Sequence, residues 1–224
     1  MESLGGPGNM TDASILVIFD FDNTLIDSRI SFTGLREALI DLWAGQAPLP
    51  ASREDLLRLP LRDIVEGAAS AAPELSGQAW VMIEAYEAAG LEGAVAMPYA
   101  RDVLMSLAAR GVRRALLTNN ARPATLTHLD RIGLTTLLDL VITRDDASVL
   151  KPDPAGIRLI LEHLGPVHAA YLVGDSWIDG LAAERAGIRF IGFGPRRAEV
   201  EARGVRPWAW VGDLRELLTL DLRP

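Results

Sequence analysis

Apolar residues fall into two rhythms along this chain. In the second half they form short runs at Val112–Thr118, Leu138–Thr143, Ala170–Gly174 and Ile188–Phe193. Each run has the length of a buried strand. Between them lie stretches of helical spacing at Pro123–Ile132, Pro154–Leu164 and Ile178–Ala186. Ile15–Phe19 is one further apolar run, near the start. Buried strands that alternate with helices predict a parallel sheet covered on both faces. The punctuation agrees. Pro123 and Pro154 stand where a first-turn proline is tolerated, and Gly111, Gly133, Gly165 and Gly187 each follow a helical stretch. Trp208-Ala209-Trp210 reads as a late edge strand before a helix at Asp213–Leu218.

The segment from Ser28 to Met97 has a different rhythm. It is rich in alanine and leucine, shows helical periodicity at Arg29–Ala44, Arg53–Ala69 and Gly77–Ala88, and contains no convincing strand. A parallel crossover needs only a dozen or more residues, so a helical block of this size between two strands reads as an insertion. The expected organisation is a core over 10–27 and 98–224 and a helical cap over 28–97, with hinges at Ser28 and Pro98. The glycine-rich opening, 1–9, is expected to be flexible.

Composition narrows the classes. The 224 residues suit one large domain, or one core plus a small insert. At 49% hydrophobic and 23% charged, the chain is ordinary for a folded protein. Thirty acidic residues against 22 basic ones give a net charge of −8, which opposes non-specific binding to nucleic acid or anionic lipid. Cysteine is absent, which excludes disulfides, thiolate metal sites and cysteine nucleophiles. No apolar run reaches the ~18 residues of a membrane span. The run nearest the start lacks a basic leader, so no signal peptide is expected and a cytoplasmic location is.

Four segments carry candidate chemistry. Asp20-Phe21-Asp22-Asn23-Thr24-Leu25 follows the first apolar strand directly. Ligands of open α/β sheets bind at the carboxyl ends of strands. Two carboxylates there need a cation or solvent to compensate them, and carboxylate oxygens are hard ligands that magnesium prefers. A lone Asp-x-Asp could equally be a turn and its cap. Leu116-Leu117-Thr118-Asn119-Asn120 ends another strand, where a hydroxyl and backbone amides could cradle an anion. By itself it is a good turn. Lys151-Pro152-Asp153-Pro154 holds the only lysine beside 21 arginines, in a loop stiffened by proline. Val173-Gly174-Asp175-Ser176-Trp177-Ile178-Asp179 again places acids after an apolar strand, with Asp175 and Asp179 four apart at a helix start; Asp175 or Ser176 could also be a plain N-cap.

In this order, over about Ile15 to Phe193, the four segments resemble the haloacid dehalogenase-like superfamily, in its phosphatase branch with a helical cap. The resemblance implies a Rossmann-like core and a mobile cap. It implies Asp20 as nucleophile and Asp22 as general acid/base, with Thr118, Asn119 and Lys151 binding phosphate. It further implies Mg²⁺ held by Asp20, Asp175 and the carbonyl of Asp22, with Asp179 ordering the ligand shell. Asn23 stands where the family more often has glycine, and Pro98-Tyr99 where it usually has Pro-Gly.

Asp22 favours phosphoryl transfer, because halide leaves without a proton and the superfamily's dehalogenases generally lack an acid there. The cap has no lysine, which argues against the phosphonate-cleaving branch. The expected activity is hydrolysis of a small phosphomonoester, phosphoglycolate or a similar anionic metabolite, through an aspartyl phosphate. Alternatives are a sugar phosphomutase and a non-catalytic phosphate-binding module. Arg29, Arg53, Arg58 and Arg62 are cap candidates to meet a second anionic group, although each could be a solvated helix face. His128, His163 and His168 have no metal-ligand spacing and no assigned role.

Overall fold

A computed structural model describes residues 15–222; the opening segment 1–9, expected to be flexible, lies outside the described residues. The elements in chain order are β1 (Ile15–Phe19), β2 (Ile26–Asp27), α1 (Phe32–Ala44), α2 (Arg53–Leu57), α3 (Leu61–Ala71), α4 (Leu75–Glu92), β3 (Val95–Ala96), α5 (Ala100–Ala109), β4 (Arg113–Leu117), α6 (Arg122–Ile132), β5 (Leu140–Ile142), α7 (Ala155–Leu164), β6 (Ala169–Gly174), α8 (Trp177–Ala186), β7 (Arg189–Phe193), α9 (Arg197–Ala202) and β8 (Ala209–Val211). A 3₁₀ segment, Leu214–Thr219, stands where the sequence predicts a helix.

Six strands form one sheet in the order β5-β4-β1-β6-β7-β8, and every neighbouring pair is parallel. β1 is central because both its faces are apolar. Ile15, Val17 and Phe19 enter one buried cluster with α5, while Leu16 and Ile18 enter the other with α7 and α8. From β1 the sheet grows to β4 and β5 on one side, then the chain returns to β6 on the other. The crevice beside β1 is therefore the topological switch point, where α/β sheets bind ligands. The expected α/β, Rossmann-like architecture is observed.

The helices between β2 and β3 have their own apolar cluster, with Leu35, Leu39, Ile40, Trp43, Ile64, Leu75 and Ile83 buried together. Two expectations change here. The stretch Arg53–Ala69 is two helices, because Pro60 interrupts it: a proline inside a helix has no N–H to donate and clashes with the preceding turn. The segment also contains a strand after all. Val95–Ala96 pairs antiparallel with Ile26–Asp27, so a short ribbon joins the insert to the core next to both predicted hinges.

The two departures from the family pattern are the only non-glycine residues with positive φ among the described residues, Asn23 at 57° and Tyr99 at 64°. Asparagine tolerates that region well, whereas a bulky tyrosine there needs support. The Arg215 guanidinium stacks 3.7 Å above the Tyr99 ring.

Candidate active site

Three parallel strands deliver the site. Asp20 follows β1, and its backbone N–H still bonds Val173 O of β6 at 2.9 Å. Thr118 follows β4, its N–H donating to Ile142 O of β5 at 3.0 Å. Asp175 follows β6. Each side chain sits one residue past a ladder that fixes its backbone, so all three converge at one end of the sheet.

Asp179 reaches the site from the first turn of α8. Ser176 and Asp179 form a capping box: Asp179 N–H donates to Ser176 Oγ at 3.4 Å, and Asp179 Oδ2 accepts from Ser176 N–H at 3.2 Å and from Ser176 Oγ at 2.5 Å. Gly174 permits this fold-back, because a Cβ there would lie 2.6 Å from Asp179 Cγ. The cap reading of Ser176 thus holds, yet it leaves Asp179 Oδ1 for other work.

That atom meets Lys151. The Lys151 ammonium donates to Asp20 Oδ1 at 2.5 Å, Asp179 Oδ1 at 2.7 Å and Leu117 O at 3.1 Å. Three acceptors use all three of its protons. Burial pulls the Lys151 pKa down, but the carboxylates of Asp179 and Asp20 overcome this and hold it above the ordinary value, so the lysine stays charged. Asn119 anchors the lysine's backbone from both sides: its Nδ2 donates to Lys151 O at 3.1 Å, and its Oδ1 accepts from Lys151 N–H at 2.9 Å. The Asn119 side chain therefore positions the lysine loop. The Thr118 hydroxyl oxygen accepts from Asn120 N–H at 3.1 Å, and its own proton remains available to a ligand.

Asp20, Asp175 and Asp179 place carboxylate oxygens within 4.8 Å of one another, all buried. Burial and the charge of Asp179 push Asp20 well above the usual carboxylate range, despite Lys151. The same two causes push Asp175 up to about 7, opposed by Arg196. Arg196 reaches Asp175 Oδ2 at 3.1 Å. With Asp22, four buried carboxyl groups face one ammonium and one guanidinium, so full ionisation would leave an excess of two negative charges. A donor set of hard oxygens with that charge deficit fits a divalent cation such as Mg²⁺.

Asp22 is set apart. Its Oδ2 accepts from Asn120 Nδ2 at 2.8 Å, while its Oδ1 is buried without a hydrogen-bond partner. Burial raises its pKa, and the nearby Ser28 hydroxyl, the Asn120 bond and the charge of Lys151 offset this only in part.

These groups floor a cavity of about 330 Å³ between the core and the helical insert. The insert contributes Arg36, Arg62, Trp80 and Glu87 to its walls, and the core contributes Arg144 and Arg196. Of the four cap arginines singled out by sequence, only Arg62 lines it, and Arg62 pairs with Glu66 at 2.6 Å. Arg53 pairs with Asp41, and Arg58 with Glu54, both on the surface. Sequence reasoning missed Arg36, Arg144 and Arg196, which nothing local separates from the other arginines. It also missed Glu87, which is buried at 4% exposure, pairs with Arg144 at 2.6 Å and accepts from Ala121 N–H at 3.2 Å. His128 is buried against the edge of the Phe21 ring, 5.9 Å between centroids.

Comparison with known proteins agrees with this geometry. The model of the haloacid dehalogenase-like hydrolase family matches residues 17–193. A phosphoglycolate phosphatase of Yersinia pestis is 35% identical over 188 residues, covering 79% of each chain. Pyrophosphatase PpaX of Bacillus pumilus is 29% identical, covering 79% of this chain and 81% of its own. The crystal structure of a hydrolase from Pseudomonas syringae superposes with a TM-score of 0.72 at 23% identity, covering 92% of this chain and 96% of that one. From the sheet, the acidic floor and these likenesses together, the chain belongs to the haloacid dehalogenase-like hydrolase family.

Proposed function

We propose that this protein is a Mg²⁺-dependent phosphatase that hydrolyses a small anionic phosphomonoester, phosphoglycolate or a close analogue, through an aspartyl phosphate on Asp20. The observation that carries the reading is the Lys151 ammonium, held between Asp20 and Asp179 at the floor of the cavity. A buried ammonium beside an aspartate, next to an uncompensated acidic cluster, is suited to receive a phosphoryl group rather than merely to stabilise a fold. The phosphoglycolate phosphatase among its relatives supports the same substrate class.

Asp20, Asp175 and the Asp22 carbonyl would hold the cation, with Asp179 ordering them. When bound, Mg²⁺ withdraws negative charge from the phosphoryl oxygens and lessens their repulsion of the attacking carboxylate.

The chain's own groups do the rest. Lys151 stays protonated and neutralises Asp20 and the incoming phosphate together. The Thr118 hydroxyl and the backbone of the following turn orient the phosphate. An oxygen of Asp20 attacks phosphorus and the ester oxygen leaves. Asp22, whose free Oδ1 lies in a buried site that raises its pKa, gives that oxygen a proton. It then takes a proton from the water that cleaves the aspartyl phosphate. Asn120 holds the other oxygen of Asp22 and so aims the acid.

We read residues 28–97 as a cap over this cavity. Helix α4 is tied to the core through Glu87, Arg144 and the Trp80 ring, over which the Arg144 guanidinium lies at 4.8 Å. Inorganic phosphate release from a panel of small phosphomonoesters, with Mg²⁺ and then with EDTA, tests the proposal. Metal-dependent release supports it. Release that is indifferent to chelation, or a sugar phosphate that is isomerised without release, would overturn it.

A further inference from the structure

The acidic floor carries two cations of different character. Lys151 is 5% exposed, and every one of its protons is engaged. It compensates Asp20 and Asp179 but makes no contact with Asp175. Asp175 instead has Arg196, whose side chain is 46% exposed and comes from the loop between β7 and α9. Its carboxylate contact is therefore solvated on one side and reversible, whereas the lysine contact is enclosed. Arg196 also lines the substrate cavity, as do Arg36 and Glu199.

We propose that Arg196 is a displaceable counter-cation: it occupies Asp175 when the metal is absent, and it yields that carboxylate when the metal enters, swinging into the cavity to meet a second anionic group on the substrate. The inference rests on the metal reading given above and extends it to regulation of the same site.

The physical argument is competition for one carboxylate. A cation held by Asp20 and Asp175 must displace whatever already neutralises them. Lys151 is locked by Asp179 and Leu117 O, so displacement falls on the half-exposed guanidinium. Once released, Arg196 faces a cavity that already holds Arg36, whose Nε and one terminal nitrogen donate to Leu59 O and Phe32 O at 3.2 and 3.3 Å. The Arg36 charge is thereby held in place at the cavity wall. Burial lowers the Arg36 pKa, Glu199 partly offsets that, and the nearby Arg196 and Arg203 add to the lowering. Two mutually repelling guanidinium groups lining one cavity, Arg36 from α1 and Arg196 from the loop before α9, are suited to a carboxylate or second phosphate. Metal and anionic substrate would then each raise the affinity of the other, as reciprocity requires.

The test compares wild type, Arg196→Gln and Arg197→Gln. Arg197 carries the same charge one residue on and pairs at the surface with Glu201 at 2.8 Å, so it controls for net charge. Titration calorimetry with MgCl₂ alone should show Arg196→Gln binding the metal more tightly by up to about five-fold, the range expected for losing a half-exposed competing ion pair. Arg197→Gln should match wild type. In turnover, Arg196→Gln should raise KM for phosphoglycolate several-fold and leave KM for p-nitrophenyl phosphate, which has no second anionic group, within two-fold. Unchanged or weaker metal binding in Arg196→Gln would overturn the competition, and an equal KM change for both substrates would overturn the handover. Failure of wild type itself to bind Mg²⁺ would overturn the metal reading beneath both.

Discussion

Lys151 Nζ lies 2.5 Å from Asp20 Oδ1, although 131 residues separate the two in the chain. The pair joins the end of the central strand to the loop before α7. Both members are buried, and without the ammonium Asp20 and Asp179 would be left as buried carboxyls with no paired cation. Replacing Lys151 with Met should therefore cost about 3 kcal/mol of unfolding free energy at pH 8, by analogy with other broken buried pairs. The cost should shrink at pH 5.5, where the abandoned carboxyls can take up protons. Urea unfolding at the two pH values measures it, and an equal loss at both would show that the charge is not the cause.

Asp20→Asn should reduce turnover by at least about a thousand-fold, since an amide is a poor nucleophile. The same change removes a carboxylate whose pKa burial raises. The metal-free variant should accordingly melt no lower than wild type at pH 8. A melting point several degrees lower would mean that Asp20 is a structural keystone instead.

Asp22→Asn should distinguish acid catalysis from mere positioning. The variant keeps the size of the side chain but cannot donate a carboxyl proton. Alkyl phosphates, whose alkoxide leaves poorly, should lose about 10²–10⁴ in kcat, the usual worth of a general acid. Aryl phosphates with good leaving groups should lose far less. A uniform loss across leaving groups would contradict the role.

The raised carboxyls also set a pH dependence with a definite sign. Asp175 is pushed up to about 7 and Asp20 is raised as well, whereas an unfolded aspartate titrates near ~3.9. The folded, metal-free protein therefore binds more protons than the unfolded chain in that window. The cluster's contribution to stability is greatest below about pH 4 and is lost as pH rises toward about 7. On the proposed metal role the cation would bind the ionised cluster, so the rise in Tm produced by Mg²⁺ should be larger at pH 8 than at pH 5.5, and binding should release protons. An equal Tm shift at both would place the metal elsewhere.

Glu87→Ala should leave Arg144 and the Ala121 N–H without their partner, at a cost of about 3 kcal/mol. Denaturant unfolding reads the loss. A change below about 0.5 kcal/mol would mean that α4 is held to the core by other contacts.

Much of this arrangement was legible before any coordinates. The span Ile15–Phe19 matches the observed β1, because five consecutive apolar residues ending at Asp20 have the length and pattern of a strand buried on both faces. Gly111, Gly133, Gly165 and Gly187 all have positive φ, as helix-ending glycines should. Asp20 and Asp175 were visible as acids directly after apolar strands, Asp179 as a second acid four residues on, and Lys151 as the only lysine, but it was the ordered set of four segments and its family resemblance that gave them roles. Other features needed the fold. Helix α9 carries one buried apolar residue, Val200, and so leaves no periodic trace. The split at Pro60 was masked by leucines on both sides that continue the helical rhythm. Arg36, Arg144 and Arg196 are indistinguishable from eighteen other arginines until the chain is folded, since only long-range packing turns them toward the cavity.

The most direct test of the central claim is chemical capture of the intermediate. The Mg²⁺-loaded protein is mixed with a phosphomonoester, quenched in acid during turnover and treated with borohydride, which reduces an acyl phosphate to an alcohol. Peptide mass spectrometry then locates the modified side chain. The account predicts reduction at Asp20 alone, dependent on both substrate and metal. Turnover with Asp20 unmodified, or modification at Asp22 or Asp175 in its place, would contradict it.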